Sequence, residues 1–579
     1  MKRPEKLDKE INSYDCVVEN NSHSFQAHHK LGQVLQNQGQ FQKATTSYQK
    51  AIELNPQFSR SHHNLGQCLA KQQKLEEAVA AYQKAIEIEP ECSLYYHSYG
   101  DARFEMKCWD EAIALYHKAI DLNPNFAWSH YNKGRALANE GKTEEAIVAY
   151  ERAIEIDPKL TQCCHDLGEA LLQMKNLDKA AKCYQRLGDI HFELKKWDEA
   201  VTFYQKSIDL NPNMAQSHYN LGRILQQKGQ VPKAVNCYLK AIQSQPDFSP
   251  PYLTLRNTPL NASHLDRAIE CYRQVIQVQS NFPPLHINFA DALTKQGKIE
   301  EATVAYKMAT YQQTKIGYPE LVNKDWDSEN VNEPDFIIIG AEKGGTSSLY
   351  VYLMQHPQVV PPIDKEIHFF SHRFNNGKDW YLAHFAPIPP SRKLVTGEAS
   401  TSYLHTCHLN THQRLFKLLP HIKLIVILRN PVDRAISQYH QRVRLGQERR
   451  SLDEAISAEL EILDGIEDPI TVGEAYWKTQ SGYLWVSLYV HFLKRWMSLF
   501  AKNQCLVLKS EDFNQCPERT MKQVYKFLDL PEHQLSQYEK YNAGSYPSIE
   551  DEIRRSLSDF FAPHNKSLEE YLGMKFNWE

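Results

Sequence analysis

The chain has 579 residues, too many for one small core and enough for two to four domains of about 150 residues. Hydrophobic residues at 42%, aromatic residues at 11% and charged residues at 23% exclude a wholly disordered chain. Sixty-six basic against seventy acidic side chains leave a net charge of −4, so no global field marks nucleic acid or an acidic membrane as partner, and any anion site must be local. Residues 1–23 read as a lead-in without a signal-peptide run, and no long apolar stretch follows; a cytoplasmic protein without a membrane span is expected. Twelve cysteines without a C-x-x-C pair suggest reduced thiols, and no metal site is expected.

From residue 24 to about 313 the sequence repeats. Pro56, Pro90, Pro124 and Pro158 stand 34 residues apart, in step with Gly32, Gly66, Gly100, Gly134 and Gly168 and with tyrosines at Tyr48, Tyr82, Tyr116, Tyr150 and Tyr184. After residue 180 the ladder slips to Gly188 and Tyr204, a step of 20, with no helix breaker between, so two helices are expected to fuse or the array to bend there. The period then resumes. The last two copies are degraded, with Ser280 in place of the proline and Ala290 in place of the glycine. The period, the small residue and the Ala-x3-Tyr step resemble the tetratricopeptide repeat (TPR). That resemblance implies an all-α solenoid of about nine repeats whose concave groove binds a peptide or protein.

A polar stretch at 314–334 reads as a linker, and from 335 to 579 the texture changes. DFIIIG at 335–340, KLVTGE at 393–398, KLIVILR at 423–429 and CLVLKSEDF at 505–513 read as strands between helical segments, which predicts an α/β domain with a parallel central sheet. The first strand runs into Gly340-Ala341-Glu342-Lys343-Gly344-Gly345-Thr346-Ser347-Ser348, a glycine-rich turn opening a helix, where backbone amides and a positive helix end suit a phosphate. A Walker A template started at Gly340 puts Thr346 where lysine is required, which disfavours an ATP-dependent kinase. Lys343 instead precedes the double glycine, within reach of a leaving group's bridging oxygen. The third strand ends in Arg429-Asn430-Pro431, with Ser437 two helical turns on, a second candidate phosphate site. Two such sites on one sheet call for a bisphosphorylated ligand.

Together these motifs resemble the sulfotransferases that use 3′-phosphoadenosine 5′-phosphosulfate (PAPS), particularly the branch acting on heparan sulfate, in a bacterial-type fusion. Lys365-Glu366-Ile367-His368-Phe369-Phe370, Gly397-Glu398-Ala399 and Ser481-Gly482-Tyr483 extend the likeness. The resemblance implies that Lys343, Gly344, Gly345, Thr346, Ser347 and Ser348 hold the 5′-phosphosulfate and that Arg429 and Ser437 hold the 3′-phosphate. It also implies that Tyr483, Gly544 and Ser545 line the cofactor, that Glu398 is the general base, and that Lys365 and His368 contact the sulfuryl group or acceptor. No cysteine follows Cys516, and Asn542–Tyr546 lacks the basic residues of the animal enzymes. The acceptor is left as protein tyrosine, glycan or small molecule. The competing expectation is a TPR scaffold whose C-terminal domain senses nucleotide without catalysis.

Overall fold

The computed structural model describes residues 23–322, 326, 333–389, 392–466, 468–472, 482–539, 541 and 551–578. The chain divides into two compact units, one ending at Pro251 and the other beginning at Tyr252.

Up to the linker the described residues form seventeen α-helices, from α1 (Phe25–Asn37) to α17 (Ile299–Gly317). Within the first unit they alternate as the period demands. The two helices of a repeat are joined at a left-handed residue that itself recurs every 34 positions, at Gly39, Gln73, Lys107, Gly141 and Lys175. There the chain reverses on a Schellman-type bond, as from Gln40 N–H to the Leu35 carbonyl. The Asn-Pro and Asp-Pro corners have a separate cause: the side chains of Asn55, Asn123 and Asp157 each accept the backbone N–H two residues on. The glycine ladder is steric. A Cβ on Gly66 would lie 2.6 Å from the Tyr82 ring and one on Gly188 2.6 Å from the Tyr204 ring, so each glycine admits a fully buried tyrosine. At the short step, one continuous helix, α10 (Leu177–Glu193), carries both Tyr184 of one repeat and Gly188 of the next. The expected fusion is therefore a shared helix.

The second unit holds the last repeat helices, α14 from Tyr252 onward (α14 is Pro250–Arg256), α15 (Ala262–Val278), α16 (Pro283–Lys295) and α17, followed by the α/β fold. Five strands, β1 (Phe336–Gly340), β2 (Val359–Val360), β3 (Val395–Ala399), β4 (Lys423–Leu428) and β5 (Cys505–Lys509), make a parallel sheet in the order β2-β3-β1-β4-β5. The two-residue β2 has no sequence run to announce it. Helices α18 (Thr346–Met354), α19 (Phe369–His372), α20 (Lys378–Leu382), α21 (Thr411–Leu418), α22 (Pro431–Arg444) and α23 (Leu452–Leu463) fall between the strands. So does α24 (Tyr489–Met497), ahead of β5, and beyond β5 come α25 (Ser510–Gln515), α26 (Pro517–Phe527) and α27 (Asp551–Leu572). Buried Ile338, Leu349, Ile425, Phe513 and Val524 form the core on one sheet face. Strands β1 and β3 approach so closely that a Cβ on Gly397 would meet the Phe336 carbonyl oxygen at 2.3 Å. The chain leaves β1 toward β2 on one side of the sheet and leaves β4 toward β5 on the other, which places a topological switch point, the usual ligand position in such sheets, at the carboxyl ends of β1 and β4.

Candidate active site

The glycine-rich loop stands at that switch point. All five residues of β1 are buried, and the loop that leaves it lies flush on β4: a Cβ on Gly344 would sit 2.5 Å from the Ile427 carbonyl oxygen. Gly345 takes φ +104° and precedes α18, whose first amides have no side-chain cap. Such an end suits an anion. Thr346 is buried and Ser347 is half-buried, its hydroxyl accepting from Lys365 Nζ at 3.0 Å. Ser348 accepts the Tyr541 N–H at 3.1 Å.

The second cluster begins where β4 ends. Arg429 Nη1 donates to the Lys343 carbonyl at 3.3 Å, which joins the two predicted phosphate sites across the ends of adjacent strands. Asn430, given no role by sequence, caps α22 by accepting the Val432 N–H at 2.9 Å, and Pro431 opens the helix. Ser437 is buried on that helix. Behind it Arg434, fully buried, donates to Ser487, Gln438 and the Tyr483 carbonyl, while buried Glu459 accepts the N–H groups of Tyr483, Leu484 and Trp485 at 2.8–2.9 Å. Tyr483 is thereby a closed wall, 1% exposed, with its hydroxyl on Glu448. Gly544 and Ser545 lie outside the described residues.

The glutamates separate sharply. Glu398 on β3 has no exposed surface and takes hydroxyl donors from Ser400 at 2.5 Å, Tyr381 at 3.0 Å and Tyr403 at 3.3 Å. Burial pushes its carboxyl up to about 7, against the hydrogen bonds from Ser400 and Tyr381. Acidity alone would make it an attractive base, but a base must first reach the proton it removes, and this carboxylate is sealed. Glu366, in the K-E-I-H-F-F run, keeps 40% of its side chain exposed, 3.4 Å from Lys365 Nζ and 3.4 Å from His368 Nε2. Burial raises its pKa, yet His368 and Lys365 outweigh that and hold it below the usual carboxylate value. His368 itself adopts φ +54°, its N–H donating to Ser400 Oγ at 3.0 Å and its Nδ1 standing 3.2 Å from Ser402 Oγ. The structure thus links Lys343 to Arg429, Lys365 to Ser347 and Glu366, and Glu366 to His368, while Glu398 is fully enclosed.

Residues 333–545 match a family model described as the sulfotransferase domain. Residues 29–91, 127–160, 161–187 and 215–248 match tetratricopeptide-repeat models, and 100–141 and 188–229 a further TPR model. The heparan sulfate glucosamine 3-O-sulfotransferase 5 of Homo sapiens is 32% identical over 270 residues, 42% of this chain and 74% of that protein. The chain belongs to the sulfotransferase family. A membrane-associated sulfotransferase of Dictyostelium discoideum is 26% identical over 42% of this chain and 66% of its own length. A bifunctional heparan sulfate N-deacetylase/N-sulfotransferase of Caenorhabditis briggsae is 27% identical over 41% and 30%. This sulfotransferase therefore spans less than two thirds of either of those two relatives. No helix among its described residues is long and apolar enough to cross a membrane.

Proposed function

We propose that the C-terminal unit transfers a sulfuryl group from PAPS to a hydroxyl or amine, with Glu366 rather than Glu398 as general base. The observation that carries this reading is the pair of corners at the ends of β1 and β4, joined by the bond from Arg429 to the Lys343 carbonyl, with an open Glu366 held below the usual carboxylate value beside Lys365 and Ser347. The donor set fits a bisphosphorylated nucleotide: a cradle that tolerates no Cβ at Gly344, the uncapped start of α18, the Thr346 and Ser347 hydroxyls, and Arg429 with Ser437. PAPS supplies the activated sulfuryl group and a phosphate leaving group.

The chain's own residues supply position and charge. Lys343 neutralises the negative charge that grows on the bridging oxygen as the sulfur–oxygen bond breaks. Glu366 takes the proton that leaves the attacking acceptor, and His368, 3.4 Å away, orients it. Lys365, tied to Ser347, links this base to the loop holding the donor. Glu398 keeps a supporting role, since Ser400 both donates to it and accepts from His368 N–H. In the first unit a cavity of about 770 Å³ lined by Lys71, His97, Asp101, Trp128, Asn132 and Arg135 is the proposed seat of an acceptor peptide or partner protein. Incubation of the full chain with 35S-labelled PAPS and either heparan sulfate or a tyrosine-containing peptide tests the reading. Label is expected in one acceptor, and absence of both transfer and binding of adenosine 3′,5′-bisphosphate would refute it.

A further inference from the structure

The eighth repeat breaks the ladder at an informative place. Thirty-four residues after Gly222, where seven preceding repeats have glycine, stands Arg256. Its Nε donates to Asp291 at 2.6 Å and its Nη2 donates to Asp364, 108 residues on in the catalytic fold. Asp291 is itself a ladder residue: like Asp101 and Asp189, it follows the small residue of its repeat and accepts that repeat's tyrosine hydroxyl, here Tyr306. Asp364 directly precedes the Lys365–His368 segment.

A second connection starts from Tyr306, which shares Asp291 with Arg256. In the array the hydroxyls of Tyr48 and Tyr204 accept from Asn64 and Asn220 of the following repeat. Tyr306 has no following repeat. Its ring instead meets His384 at 4.2 Å and Trp380 at 5.5 Å. Trp380 Nε1 donates to Thr294 of α16 at 3.0 Å, and Thr310 of α17 donates to the Ala383 carbonyl at 2.6 Å. Between Trp380 and His384 lies Tyr381, which donates to Glu398. Glu398 accepts from Ser400, and Ser400 accepts from His368 N–H; Ala399 N–H also donates to the Lys365 carbonyl at 3.1 Å. Both connections end on residues 364–368.

We propose that the last two repeats are part of the scaffold that positions the reacting groups, with Arg256 a positioning residue acting through Asp364 on Lys365 and Glu366. The proposal rests on the sulfuryl-transfer reading above for its kinetic consequence but not for its geometry. A loop held by two connections keeps a base in the productive arrangement, and small misplacements there are costly in rate.

The test uses the full chain carrying Arg256→Gln, Asp364→Asn or both. Amide hydrogen exchange reads residues 364–368, release of adenosine 3′,5′-bisphosphate from PAPS with heparan sulfate as acceptor reads kcat, and calorimetry reads adenosine 3′,5′-bisphosphate binding. Each single variant should speed exchange at 364–368 and lower kcat by about 10- to 100-fold while nucleotide affinity stays near wild type. The double variant should be no worse than the worse single, because both remove one connection. Should Arg256→Gln fail to fold, Trp380→Phe, which removes the donor to Thr294 together with part of the ring packed on Tyr306 and His384, should speed exchange at 398–400 and lower kcat several-fold. Unchanged exchange at 364–368 in a folded Arg256→Gln, faster exchange with unchanged kcat, or losses that multiply in the double variant would each overturn the proposal. A wild-type chain that neither cleaves PAPS nor binds the nucleotide would instead sink the sulfuryl-transfer reading, and the exchange result would still decide the coupling.

Discussion

Replacing Glu398 with Gln removes the most displaced carboxyl of the site while keeping its volume and one acceptor oxygen, for Tyr381 and Tyr403; the amide NH2 then faces Ser400, whose hydroxyl turns to accept from it. Burial lifts this group from its ordinary 4.5 to about 7. The folded chain therefore holds a proton that the unfolded chain has released, throughout the window between those values. Stability from that proton is fully present below pH 4.5 and is lost as pH rises through 7. The displacement corresponds to about 3 kcal/mol. Relative to Glu398→Gln, wild type should thus lose about 3 kcal/mol of unfolding free energy between pH 4.5 and pH 8. Urea unfolding at half-unit pH intervals, followed by tryptophan fluorescence, measures the difference. A difference flat with pH, or one favouring wild type more strongly at high pH, would show that Glu398 is neither raised nor sealed, and would reopen its candidacy as the base.

Three further outcomes follow from the site's geometry. Lys343→Ala should lower kcat by about 10²- to 10³-fold, the usual loss for one electrostatic donor to developing charge, in steady-state assays at saturating PAPS. Arg429→Ala should weaken adenosine 3′,5′-bisphosphate by about 10- to 100-fold in calorimetry, as expected for a lost charge-assisted hydrogen bond of about 1.5–3 kcal/mol. Gly344→Ala should abolish nucleotide binding, because its Cβ meets the Ile427 carbonyl oxygen at 2.5 Å and the loop must leave β4; calorimetry on the folded variant checks this.

The repeat half was legible because its constraint is periodic. Each glycine exists to admit a tyrosine, each left-handed corner recurs at the same interval, and the missing fourteen residues after Tyr184 leave one helix doing the work of two. The long strands were legible from their apolar runs, whereas β2, two valines long, carries no pattern of its own. The two corners proposed for phosphate could be located in the sequence because a strand, a glycine turn and a helix start are local features. The choice between Glu366 and Glu398 could not, since it depends on Tyr381, Ser400 and Tyr403 closing over one carboxylate and leaving the other open. Arg256 is visible in the sequence as an exception to the glycine ladder, but its partner lies 108 residues away, a distance over which no local pattern speaks.

The most direct measurement compares single-turnover sulfuryl transfer from saturating 35S-labelled PAPS by wild type, Glu366→Gln and Glu398→Gln, with adenosine 3′,5′-bisphosphate affinity measured on the same preparations. Glu366→Gln should bind nucleotide like wild type and lose about 10²- to 10⁴-fold in rate, as expected for a missing general base, while Glu398→Gln loses far less. Wild-type turnover by Glu366→Gln, with the large loss falling on Glu398→Gln, would contradict it.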